Sequence, residues 1–147
     1  MKKQILSVVV TLSVIITLSV AVLAGLSRNL KADIPFDFTV GGKTLPAGQY
    51  TVSSSGPSNA LMIRSWETKQ SAFAITHECK AAADGKPRLI FHRYGDQYFL
   101  AQVLSDTSGN ELAKSKAERE AARAGRDHLA MKDAAPEIIT LSVQVGQ

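Results

Sequence analysis

Ile34, Phe36, Phe38 and Val40 alternate with Pro35, Asp37 and Thr39, and the same two-residue rhythm closes the chain, where Ile139, Leu141, Val143 and Val145 alternate with Thr140, Ser142 and Gln144. Successive side chains of a strand point to opposite faces, so this rhythm commits both stretches to half-buried β-strands. Pro35, near the start of the first run, predicts an edge position, because proline cannot donate to a ladder. Gly41-Gly42 breaks that strand, and Leu45-Pro46-Ala47-Gly48 turns the chain into Gln49–Val52, with Tyr50 and Val52 facing inward.

Further strands are expected at Ala60–Trp66, Ser71–Cys79, Pro87–Tyr94, Gln97–Leu104 and Glu137–Val145, with a polar loop from Ser53 to Asn59. Asp84-Gly85 fits a type I′ hairpin turn, and Gly95-Asp96 a type II′ turn with glycine first. Strands from Leu89 to Leu104 are apolar on both faces, as expected of strands that are covered twice or line a filled interior. The fold class is mainly β: seven strands in an antiparallel sandwich or small barrel. One segment departs from the rhythm. Ser108 and Glu111 have capping-box spacing, and Glu111–Ala124 is rich in Ala, Lys, Glu and Arg. This predicts a surface helix near 110–125 with a thin stripe of Ala113, Ala117, Ala121 and Ala124, ended by Gly125 and followed by a loose connector to the last strand.

Ahead of the strands, Lys2 and Lys3 precede an uncharged run from Ile5 to Ala24. A positive start, an apolar stretch and small residues at its end are the marks of a secretory signal peptide. Cleavage fits after Ala24 or after Ala32, and twenty such residues are also long enough to remain as an anchor. The organisation is thus a leader over residues 1–32 and one domain over 33–147, exported to the periplasm or the extracellular space. Cys79 is the single cysteine, so no intrachain disulfide forms, and a buried apolar role is the expectation for it.

The charge is uneven. The chain carries 17 Lys and Arg against 13 Asp and Glu. Four of those cations, Lys2, Lys3, Arg28 and Lys31, precede the first acidic residue, Asp33, so 13 face 13 in the remainder. Nucleic-acid binding needs a concentrated basic surface and is excluded as a partner class.

Ile34-Pro35-Phe36-Asp37-Phe38-Thr39-Val40-Gly41, followed by Leu45-Pro46-Ala47-Gly48-Gln49-Tyr50-Thr51-Val52, resembles a group of small exported bacterial proteins of unknown function. Phe91–Gly95 and Ala113–Glu120 resemble the same group. The resemblance implies an exported β-rich domain and carries no activity and no catalytic residues. The Leu-Pro-Ala-Gly-x-Tyr piece alone is also similar to a turn-into-strand in transthyretin-like and other sandwich modules.

Candidate chemistry is sparse. If Asp84-Gly85 joins neighbouring strands, His77 faces His92 and Cys79 lies on the same face, within reach of a shared copper or zinc ion. Arg93 then stands across from Tyr98 and can stack on its ring, giving with Trp66 an aromatic and basic surface for a glycan or peptide. No serine sits in G-x-S-x-G, and Gly41-Gly42-Lys43-Thr44 lacks the first glycine of a P-loop. The mixed charges of the helix specify no partner. The expected function is a non-enzymatic β-sandwich module without cofactor, acting in the cell envelope or outside it on an envelope protein or glycan. It would meet a membrane only through an uncleaved leader, and its oligomeric state is left open. The alternative is a carrier of a small molecule or transition metal on a closed barrel.

Overall fold

Asn29–Ile34 forms the first strand, β1, with Leu30, Ala32 and Ile34 buried and Asn29, Lys31 and Asp33 exposed. A computed structural model describes residues 29–55, 59–129 and 135–146. The uncharged leader run and the cleavage point after Ala24 lie outside them, whereas Ala32 is an interior residue of β1.

The domain is mainly β. After β1 come β2 (Phe38–Val40), β3 (Lys43–Leu45), β4 (Gly48–Ser55), β5 (Ala60–Arg64), β6 (Ser71–Cys79), β7 (Arg88–Tyr94), β8 (Gln97–Leu104) and β9 (Gly109–Leu112). A single helix among the described residues, α1 (Lys116–Leu129), precedes β10 (Glu137–Ser142) and β11 (Gln144–Val145). Among the described residues these are eleven strands and not seven. The polar-apolar alternation that begins at Asn29 reads, from sequence, as the tail of the leader. The run from Ile34 to Val40 is two strands: β1 ends before Pro35, and Asp37 instead accepts a hydrogen bond from the amide of Ala47 at 2.9 Å. Nor is Pro35 on an edge strand, since β1 pairs with β4 on one side and β11 on the other.

The helix begins five residues later than its composition suggests. Gly109–Leu112 is a strand, paired with both β6 and β8. Ser108 caps nothing; it exchanges hydrogen bonds with Ser105 in the turn before β9. The box that works is Ser115-x-x-Glu118: Ser115 Oγ accepts from the amide of Glu118 at 3.1 Å, satisfying one of the orphan donors of the first turn.

The strands share one hydrogen-bonded sheet in the order β10-β7-β8-β9-β6-β5-β4-β1-β11, with the β2–β3 hairpin attached beside β8. Every pairing is antiparallel except the single parallel contact of Thr39 with Phe99. β6 belongs to two neighbourhoods, pairing with β5 through Ser71–Ile75 and with β9 through Thr76–Cys79. The two ends of the order, β10 and β11, are consecutive in the chain and separated by Val143 alone.

Inside lie Phe38, Tyr50, Phe91, Ile34, Leu45, Leu61, Ile63 and Leu89, each almost fully buried. The β2–β3 hairpin sends Phe38, Val40 and Leu45 into this core. Room for it comes from β6, whose inward residues Ala72, Ala74 and Thr76 are small. Gly41, at φ +56°, sits so close that a Cβ there would stand 2.5 Å from the carbonyl oxygen of Phe73. Only glycine fits both the backbone conformation and the space.

Tyr50 meets Phe38 edge to face at 5.1 Å and donates its hydroxyl proton to the carbonyl of Pro46 at 2.6 Å. Burial, reinforced by the negative charge of Asp37, raises its pKa above the ordinary value of 10.0. A folded-state pKa above the unfolded one gives stability that is present below the unfolded value and lost as pH rises toward the folded one. Denaturant midpoints are therefore expected to fall as pH climbs past about 10, and to fall less steeply in Tyr50→Phe. An equal slope in the variant would show that Tyr50 is not the group responsible.

Candidate functional site

The β7–β8 hairpin joins its strands through the two residues Gly95 and Asp96, with Gly95 at φ +59°, as expected of a type II′ turn. Its register places Arg93 opposite Tyr98, and the guanidinium lies over the phenol ring at 5.5 Å. Tyr98 also stacks on Phe36 at 3.9 Å, and Phe36 stands edge-on to Phe91 at 5.3 Å. With a phenyl ring on one face and a guanidinium over the other, Tyr98 offers no open ring face to a sugar. Arg93 is further engaged with the carbonyl of Gly95 at 2.8 Å and with Glu137 at 3.1 Å. The cluster closes one end of the core.

On the outer face of the same strands, α1 docks through a charge. Glu118 is 3% exposed, and its Oε1 lies 2.7 Å from Nδ1 of His92 on β7. A helix whose apolar stripe is alanine has little apolar area to bury, so this hydrogen bond is the main polar tie between helix and sheet. Beside it, an open cleft of about 700 Å³ runs between the hairpin tip and α1, bounded by Arg93, Tyr94, Ala121, Ala124 and Glu137. The Tyr94 hydroxyl is buried without a hydrogen-bond partner. Arg93 and Glu137 neutralise each other at the cleft's rim, and no serine, threonine or cysteine is among its described lining residues.

The expected metal triad is not assembled. Asp84-Gly85 is not a two-residue hairpin: the chain turns from Ala82 to Gly85, with a 2.9 Å hydrogen bond between them, and β6 and β7 do not pair. His77 faces Glu111 on β9 and is exposed, Cys79 faces Gly109, and His92 faces Phe99 and Ile138. Among the described residues no group of three His, Cys, Asp or Glu side chains is placed to hold a metal ion. The Cys79 thiol is half-buried, and burial, with the charge of Glu111 behind it, pushes its pKa up. That disfavours the thiolate on which nucleophilic attack and metal ligation depend.

Trp66, expected on a surface with Arg93 and Tyr98, is 59% exposed in the turn after β5, with the Arg64 guanidinium 4.1 Å above its ring and Lys69 Nζ at 6.0 Å. The outer face of β5 and β6 continues from there. Phe73 is 66% exposed and Ile75 is 74% exposed, and the register sets Met62 beside Phe73 and Ala60 beside Ile75. Alternation alone turns the larger residues of β6 inward; the β2–β3 hairpin takes that space, and the large residues face out. Nothing local in the sequence marks Phe73 and Ile75 as surface residues. Glu118 carried a readable signal, since Ser115-x-x-Glu118 is itself a capping box. No protein family, no curated protein and no solved structure matches this chain.

Proposed function

We propose that this chain is an exported, non-enzymatic binding module of the cell envelope, built as a small closed barrel and working through the outer wall of β5 and β6. The observation that carries the reading is the apolar stripe of Phe73 and Ile75 standing in solvent on a wall whose inner face is fully packed. Monomeric soluble domains seldom leave such a stripe uncovered, and one that persists marks an interaction surface. In the barrel, β1, β4, β5, β6, β9, β8 and β7 are closed by the β10–β11 segment, which pairs with β7 through Glu137–Ser142 and with β1 through Gln144–Val145. The side chains filling the interior, among them Phe38, Tyr50 and Phe91, favour this module over a carrier with an internal cavity.

Export rests on the leader and on the resemblance of the Ile-Pro-Phe pattern to small exported proteins. Of the two cleavage points only Ala24 suits the fold, because cutting there leaves β1 whole, as does a leader retained as an anchor. In cells producing the full chain, a photo-crosslinking residue at position 73 is expected to give a defined adduct in the envelope fraction, and the same residue at the exposed position of Lys114 to give none. Protein recovered solely from the cytoplasm, or equal labelling from both positions, would reject the reading.

A further inference from the structure

We infer that the partner of this outer wall is an anionic lipid surface, an inference that rests on the wall being the binding face. Two rows of residues cross the strands side by side. One row runs Asn29, Ser53, Met62, Phe73 and carries the apolar Met62 and Phe73, with Ile75 beside Ala60 in the row beyond. The adjacent row runs Lys31, Thr51, Arg64, Ser71, and Lys43 completes it by donating from Nζ to the carbonyl of Ser71 at 2.8 Å. With Lys69 beside Trp66, four cations flank the apolar row, while Asp33 stands one step further along β1 and Glu67 reaches toward Gly48. A second copy laid on this face would oppose cations with cations. An anionic headgroup layer matches them, accepts Phe73 and Ile75 at its apolar boundary, and suits a tryptophan at the interface.

The position of the leader points the same way. The apolar run from Ile5 to Ala24 ends five residues before Asn29, and Asn29 stands in the row that contains Met62 and Phe73. Strands lie about 4.8 Å apart, so the apolar residues sit roughly 10–15 Å from the point where β1 begins. A leader retained in the bilayer therefore tethers the domain at the β1 end of this wall.

Trp66 is the only tryptophan of the chain and serves as the probe. The full chain is reconstituted through its leader into nanodiscs of phosphatidylcholine, alone or mixed with phosphatidylglycerol, so that the anchor is the same in both. In the anionic discs Trp66 emission is expected to shift to the blue and to be quenched by brominated lipid, and both effects are expected to fade in neutral discs and at high salt. Phe73→Asp with Ile75→Asp, two exposed positions that leave the core alone, should abolish the quenching with an unchanged circular-dichroism spectrum. Lys31→Ala should weaken the contact about fivefold, the share of one cation near such a surface. Quenching that is equal in both discs and indifferent to the double substitution overturns the inference. So does a dimer of copies that hides Trp66 without lipid. Either result leaves the crosslinking test of the binding face standing on its own.

Discussion

A chain beginning at Asp33 will not hold the native fold, whereas one beginning at Gly25 will. Cutting after Ala32 removes Leu30 and Ala32, which are 4% and 5% exposed, from the core. It also removes four of the six residue pairs between β1 and β4, from Asn29↔Ser53 to Ala32↔Tyr50, and both pairs between β1 and β11. The amide of Gly146 loses the carbonyl of Asn29, its acceptor at 2.7 Å. Burying a leucine side chain is worth about 1.5–3 kcal/mol, and each ladder hydrogen bond about 1 kcal/mol net. Together the losses are on the order of 5–10 kcal/mol, comparable with the whole stability of a small domain. Urea denaturation of the two chains, and the intact mass of the protein recovered from cells, check this. A mature species starting at Asp33 that melts cooperatively would show that β1 is dispensable.

The second large effect is expected at the helix. His92→Ala leaves the carboxylate of Glu118 buried against β7 without its 2.7 Å partner. Stranding one member of a buried pair costs several kcal/mol. His92 keeps about a fifth of its surface in solvent, so solvent screening brings the expected loss down to about 2–3 kcal/mol. The consequence is local. A 14-residue helix is marginal by itself, so α1 should lose amide-exchange protection over 116–129 while β7 and β8 keep theirs. Glu118→Gln, which keeps a hydrogen-bonding group at the site, should cost less than His92→Ala. In a double-mutant cycle, adding Glu118→Ala to His92→Ala should recover part of the loss, because no unpaired acceptor then remains. Helix protection unchanged in His92→Ala would mean that alanine packing alone holds α1.

Much of the local structure is legible in the residues, and the reasons are local. β6 and β8 begin and end where alternation and turn residues place them. The register of β7 on β8 follows from a two-residue turn as far as Phe91, after which a bulge shifts it. What is not legible depends on distant partners. β9 ends in the helix-forming Glu111 and Leu112 yet is a strand, because β6 and β8 each leave it a ladder to fill. The histidines part company because the turn after β6 sends the chain to a distant place in the sheet and not to the adjacent one.

By itself, then, the sequence determined a mainly β domain, a neutral charge balance from Asp33 onward and the identity of the central core residues such as Ile34, Phe38, Tyr50 and Val52. Each follows from periodicity, charge or turn chemistry, which neighbouring residues carry among themselves. Only the tertiary structure decided which strands adjoin, and with them which face of β6 is inside. Ala72 and Ala74 turn inward and Phe73 and Ile75 outward because a hairpin more than twenty-five residues away occupies the space beneath them. A two-residue period states that two faces exist; which of them meets water is set by what arrives to cover the other.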